Sequence, residues 1–155
     1  MRTFASLIVV SMLAIAAPAR ADVGLGVFIG EPTGVDLKLG LSHKSALDLV
    51  LGWNTYHDNH DHYGHLTYLV TPFVGVGDSI MVPLRLGIGG AIYDDGDFDN
   101  GTNLAVRAPL EIGLRFRRTP IEIYGEVALK LTFFDDHDND ETVDLDGGVG
   151  IRFYF

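Results

Sequence analysis

The sequence predicts an all-β chain: a single transmembrane, up-and-down antiparallel β-barrel of about eight strands, following an N-terminal signal peptide. Three observations predict it. Polar and apolar residues alternate with period two along most of the chain. The long polar connections fall at one end of the predicted strands and the short ones at the other. Charged residues within the strands nearly cancel on one face and are absent from the other.

The alternation is plainest at 143–155. Val143, Leu145, Gly147, Val149, Ile151, Phe153 and Phe155 share one face, and Asp144, Asp146, Gly148, Gly150, Arg152 and Tyr154 share the other. Side chains on a strand point alternately to opposite faces. A soluble sandwich would hide the apolar face in its core. A membrane barrel turns that face to lipid and keeps polar or small residues in the lumen.

Residues 1–21 read as a signal peptide, leaving 22–155 as one barrel domain. Arg2 supplies the positive start, 7–17 is an apolar run, and Ala19-Arg20-Ala21 fits a small-x-small cleavage site. The run is too short for a spanning helix. Removing the segment takes away Arg2 and Arg20 and no acid, leaving nine bases against twenty-one acids. That acidity excludes nucleic acid as a partner, because nucleic-acid binding needs a basic footprint. The absence of Cys excludes disulfides and thiol chemistry. The nineteen glycines suit a small barrel with close packing and sharp bends.

The strands follow in order. The first, 23–30, sets Val23, Leu25, Val27 and Ile29 against Gly24, Gly26, Phe28 and Gly30. Glu31-Pro32-Thr33 turns, with Pro presetting φ. The second puts Val35, Leu37, Leu39 and Leu41 opposite Asp36 and Lys38. After the polar turn 42–45, the third opposes Leu47, Leu49, Leu51 and Trp53 to Asp48, Val50 and Gly52. Residues 54–64 break the alternation as a first long loop. The fourth strand, 65–73, has the weakest pattern, and 75–79 turns. The fifth, 82–93, places Leu84, Leu86, Ile88 and Ile92 outward and Arg85 inward. Residues 94–103 form the second long loop. The sixth, 104–116, opposes Val106, Leu110, Ile112 and Leu114 to Arg107, Glu111 and Arg115. Pro109 predicts a local bulge there, since a closed sheet has no edge to tolerate proline. Residues 117–119 turn. The seventh, 120–133, opposes Ile121, Ile123, Val127, Leu129 and Leu131 to Glu122, Tyr124, Glu126 and Lys130. The third long loop, 135–142, leads into the last strand.

The connections and the charge support one another. Counting from the first strand, 31–33, 54–64, 94–103 and 135–142 lie at one end, and 42–45, 75–79 and 117–119 at the other. Long outer loops and short periplasmic turns are the pattern of outer-membrane barrels. The predicted lumen holds seven acids (Asp36, Asp48, Glu111, Glu122, Glu126, Asp144, Asp146) and six bases (Lys38, Arg85, Arg107, Arg115, Lys130, Arg152). Near-neutrality is what buried charges require. Eleven further acids crowd the long loops, so the acidity belongs to the outer end.

The segments G-E-P-T-G-V-D-L-K-L, L-S-H-K-S-A-L-D-L-V-L-G-W, L-G-I-G-G, V-R-A-P-L-E-I-G-L and D-G-G-V-G-I-R-F-Y-F resemble a family of small eight-stranded outer-membrane barrels of unknown function. The family has spirochaetal and proteobacterial members and is OmpX-like in architecture. The resemblance implies a bacterial outer-membrane location, with termini in the periplasm and loops outside. It implies contact with outer-membrane lipid and lipopolysaccharide and delivery by the barrel-assembly machinery, to which the terminal Phe155 is the signal. It implies no catalytic residues, and we expect a monomer. Some spirochaetal relatives bind host proteins, so a protein partner at the loops is among the expectations.

Residues 56–65, Y-H-D-N-H-D-H-Y-G-H, hold four of the six His beside two Asp. Imidazole and carboxylate suit Zn²⁺, Cu²⁺ or Ni²⁺. His57, His60, His62 and, from another loop, His137 are the candidate ligands for a divalent metal; the alternative is a hydrated loop whose His only add polarity. Asp95, Asp97 and Asp99 recur at every second position, without the later Glu that an EF-hand needs. The lumen charges admit two readings, a narrow pore or a salt-bridged plug. An eight-stranded barrel holds little more than its own side chains, which favours the plug. An enzyme is not expected. Mature Ser occurs only at Ser42, Ser45 and Ser79 on the short turns, a barrel length from the loop His, and an outer-rim nucleophile would fall to Thr55, Thr102 or Thr142.

Overall fold

The structure, a computed structural model, describes residues 22–53, 62–94, 102–133 and 142–155. Eight strands run in chain order: β1 (Val23–Gly30), β2 (Thr33–Ser42), β3 (Ser45–Trp53), β4 (His62–Val76), β5 (Ile80–Asp94), β6 (Thr102–Phe116), β7 (Ile121–Thr132) and β8 (Thr142–Tyr154). Each pairs antiparallel with its neighbour, and β8 returns to β1 to close the barrel. Closure leaves no unpaired edge. The expected signal peptide, 1–21, lies outside the described residues.

The wall is inverted relative to a soluble protein. Ile88 and Leu145 are each 62% exposed on the outside, whereas Arg107, Arg152, Glu111 and Glu122 are fully buried within. This follows from the period-two pattern: on β6, Leu104 to Leu114 point outward at even positions, and Ala105, Arg107 and Glu111 point inward at odd ones. The same rule places Glu122, Tyr124, Glu126 and Lys130 inside on β7.

Strand bounds shift from expectation mainly at the loop end. β4 begins at His62, so His62, Tyr63 and Gly64 belong to the sheet instead of the first long loop. Tyr63, His65, Thr67 and Leu69 point inward, alternating with Leu66, Tyr68 and Val70 outside.

The bulge expected at Pro109 is absent. Pro109 pairs with Ala128 in unbroken register, and the β5–β6 register is the same on both sides of it. The partner positions facing Pro109 and Pro83 across β5–β6 are skipped, so each proline directs its missing N–H into a gap in the ladder without displacing the strand. Register shifts occur instead between Val70 and Phe73, spanning Pro72, and between Gly40 and Ser42. Both lie near the short-turn end, where an extra residue bends the strand towards its turn.

Trp53 and Phe133 face outward at the loop end, and Phe116, Phe153 and Phe155 face outward at the turn end. Tyr93 does not. It shares its face with Arg85 and Ala91, stacks on Tyr63 with ring centroids 5.6 Å apart, and shares a hydrogen bond with Thr132. Its odd position on β5 turns it into the lumen.

One glycine decides how the lumen packs. A Cβ on Gly150 would lie 2.3 Å from the Tyr124 ring, so only glycine lets that ring lie across β8. Tyr124 stacks there on Phe28 at 5.9 Å.

Candidate functional site

The interior of the barrel is a connected set of charged side chains. Arg152, inward on β8, is its hub. Its Nε donates to Asp36 at 2.6 Å, Nη2 to Asp48 at 2.8 Å, and Nη1 to Glu111 at 3.0 Å and Glu122 at 3.4 Å. Its guanidinium lies 3.6 Å over the Tyr124 ring. A planar fork of five donors can serve several carboxylates together, which a lysine ammonium cannot do from one point. Arg85 grips Glu122 with two parallel bonds, 2.7 and 2.8 Å, and also donates to Glu111. Lys38 stands 3.5 Å from the same Glu111, and Tyr124 donates its hydroxyl to Asp36.

A second group lies nearer the loop end. Arg107 donates to Glu126 at 2.6 Å, and Lys130 to Asp146 at 2.9 Å. Tyr63 donates to Asp146 at 2.9 Å, and Lys130 sits 5.1 Å over Tyr93. At the turn end, Arg115 bonds Asp22 at 3.0 Å and covers the Tyr154 ring at 4.0 Å. A cavity of about 540 Å³ opens at this end among Ser42, His43, Ser45, Arg115 and Tyr154, and reaches inward to Lys38 and Arg85, where the ion-pair cluster begins.

Twelve of the thirteen expected lumen charges point inward and are buried or half-buried; Asp144, the thirteenth, is exposed at the rim, 3.6 Å from Lys130. Asp48, Glu111 and Glu126 bring carboxylate oxygens within 4.8 Å of one another. Each already accepts from a guanidinium: Asp48 from Arg152, Glu111 from Arg85 and Arg152, Glu126 from Arg107. A cation entering there would have to displace an arginine, so the trio reads as the acid half of an ion-pair network.

Of the candidate metal ligands, His57, His60 and His137 lie outside the described residues. His62 is the first residue of β4, exposed on the outer wall and paired with Trp53. His65, two residues on, is 2% exposed inside the barrel, with Tyr63 edge-on at 6.0 Å and no hydrogen-bond partner on either nitrogen. The inner face of β4 was not legible beforehand. The signal for it was present in the alternation of Tyr63, His65, Thr67 and Leu69 with Gly64, Leu66, Tyr68 and Val70, but two of the inner residues are apolar or aromatic and blur it.

The fold and the lumen thus define a class: a closed eight-stranded antiparallel barrel with an apolar outer wall and an ion-paired interior. Comparison of the chain with protein-family models, with curated proteins and with solved structures finds no match.

Proposed function

We propose that the chain is an integral outer-membrane barrel with a lumen closed to solutes, whose acidic, His-bearing loops form its working surface. The observation that supports this most is the inversion of the wall. Outward strand positions carry aliphatic and aromatic side chains around the whole circumference, while the buried interior carries six acids and five bases. In water such a wall would leave an apolar surface far larger than monomeric soluble proteins expose. In lipid it is the stable arrangement. Closure gains support from the Arg152 cluster, whose buried guanidinium joins carboxylates from β2, β3, β6 and β7 across the lumen; the pore reading has no comparable observation behind it.

In this reading the barrel is monomeric, sits in lipopolysaccharide-bearing lipid, and belongs with the small-barrel family that its segments resemble. The termini and short turns lie in the periplasm. Its role is structural or one of surface interaction through the loops, with no catalytic step. Rigid scaffolds commonly carry their binding residues on loops. The test is partition of the mature protein after expression in a Gram-negative host. Retention in the outer-membrane fraction through carbonate extraction, with protease cleavage of intact cells confined to the long loops, is expected. Release into the carbonate supernatant would refute the reading.

A further inference from the structure

The turn-end cavity is lined by donors that the barrel leaves unused. Lys38, inward on β2, is 4% exposed, and its Nζ has no hydrogen-bond acceptor. Glu111, the carboxylate it pairs with, stands 3.5 Å away and already accepts from Arg85 on one oxygen and from Arg152 on the other. Tyr154, inward on β8, is 5% exposed, and its hydroxyl has no partner either. The two sit on one rung of the sheet, because Gly24 of β1 pairs with Lys38 on one side and with Tyr154 on the other. A Cβ on Gly24 would lie 3.0 Å from the Tyr154 ring, so the ring leans over β1, to the Lys38 side of its own strand. Arg115 covers that ring at 4.0 Å. The cavity wall includes all three, and its one carboxylate among the described residues is Asp22, whose side chain is 63% exposed and bonded to Arg115.

We propose that this cavity is a binding site for a small oxyanion, a phosphate- or carboxylate-bearing solute, with its anionic oxygens on Lys38 Nζ and the Tyr154 hydroxyl and Arg115 at its outer side. The wall identifies the chemistry of the ligand. A buried ammonium and a buried hydroxyl without acceptors are costly. An oxyanion supplies acceptors to both, through charge-assisted bonds that are stronger than neutral ones. A cation would meet Lys38, Arg85 and Arg115 and be repelled. The volume of about 540 Å³ falls in the range of small-molecule sites, ~300–1,000 Å³. The site itself needs only the barrel; the membrane reading adds that it opens to the periplasm.

The test is equilibrium binding of radiolabelled inorganic phosphate, and separately of succinate, to the purified protein refolded in a non-ionic detergent. Gel mobility scores folding first, so that failure of a variant to fold shows separately. Lys38→Met removes the ammonium and keeps the stem. Tyr154→Phe removes one oxygen that has no partner within the protein, so a structural role for that hydroxyl predicts no change in stability, while the site predicts weaker binding. Arg118→Gln removes an equal charge from the exposed turn 117–119, outside the cavity wall. One saturable site per chain is expected for phosphate, succinate or both, and which of the two binds assigns the class of anion. Affinity should fall about tenfold or more in Lys38→Met and in Tyr154→Phe, the size of one charge-assisted hydrogen bond, and stay near wild type in Arg118→Gln. If Lys38→Met does not fold, Tyr154→Phe decides. No saturable binding of either anion to folded wild type, unchanged affinity in folded Tyr154→Phe, or an equal loss in Arg118→Gln would overturn the proposal.

Discussion

Arg152→Met removes the hub of the lumen and leaves most of its volume. Four carboxylates then lose a donor: Asp36, Asp48, Glu111 and Glu122. Glu111 and Glu122 keep Arg85, and Asp36 keeps the Tyr124 hydroxyl. Asp48 keeps no ion pair. Removing one partner of a buried pair costs ~3–5 kcal/mol, because the remaining charge is stranded. With one acid fully stranded and three weakened, the expectation is the upper part of that range, ~4–5 kcal/mol. The effects of the four contacts do not add, since all share one guanidinium. Arg152→Met with Asp48→Asn should recover ~1–3 kcal/mol, because the stranded charge becomes a neutral amide. The assay is urea unfolding of the refolded barrel in phospholipid vesicles, followed by Trp53 fluorescence and by the mobility difference between folded and unfolded forms in gels. A loss below ~1 kcal/mol for Arg152→Met would refute the buried network, as that is the size of a solvent-exposed pair.

Four further outcomes are expected. Leu110→Arg places a charge on the outer wall in mid-strand and should destabilise the barrel by ~2–4 kcal/mol in the same vesicle assay; a negligible change would mean that the faces are assigned wrongly. Gly150→Ala drives a methyl into the Tyr124 ring and should cost ~1–3 kcal/mol, most of it restored by Tyr124→Leu in the same chain. Planar-bilayer recordings of the pure protein should show no stable conductance, and reproducible single-channel steps would overturn the closed lumen. Calorimetry with Zn²⁺, Cu²⁺ and Ni²⁺ tests His57, His60, His62 and His137 as ligands. Coordination needs neutral imidazole, so under the metal reading affinity falls with pH through the ordinary imidazole range, about 6.5, and is lost when the four are changed to Ala; no heat with any ion would remove the metal reading.

The barrel was legible because its code is short-range. Strand count, facing and closure follow from period-two alternation, and on β6, β7 and β8 each inward charge is visible as a polar residue between two apolar ones. What was not legible depends on neighbours distant in sequence. Arg152 is one basic residue among six inward ones in the sequence. Its place as hub arises because β8 closes on β1 and brings it to Asp36, 116 residues away. Tyr93 stands beside a long loop, where an interfacial aromatic would face outward, but the parity of β5 turns it inward. Pro109 was expected to force a bulge, but whether a missing N–H matters depends on the facing strand, and β5 leaves that rung unpaired.

The ion pairs also bear on which barrel forms. If both faces of every strand were apolar, a shift of one residue between neighbours would exchange inside for outside at little cost, because lipid and lumen would accept the same side chains. In this chain the same slip on β7 alone would turn Glu122, Glu126 and Lys130 to the apolar outer wall; under the membrane reading a lysine at mid-depth costs ~2–4 kcal/mol and a glutamate less. It would also take Arg107's ion pair and one partner each from Arg85, which keeps Glu111, and Asp146, which keeps the Tyr63 hydroxyl. The correct register is therefore separated from a one-residue slip by several kcal/mol, on the order of the cost of breaking one or two buried ion pairs, ~3–5 kcal/mol each. A buried ion pair contributes little to stability when compared with well-packed apolar residues. Its contribution here is to make the misregistered wall untenable, which is why the charges recur on β2, β3, β5, β6, β7 and β8 in place of a greasy filling. The glycine-rich β1 carries none, and its register is held instead by close approach: a Cβ on Gly26 would fall 2.0 Å from the Ile151 carbonyl oxygen of β8.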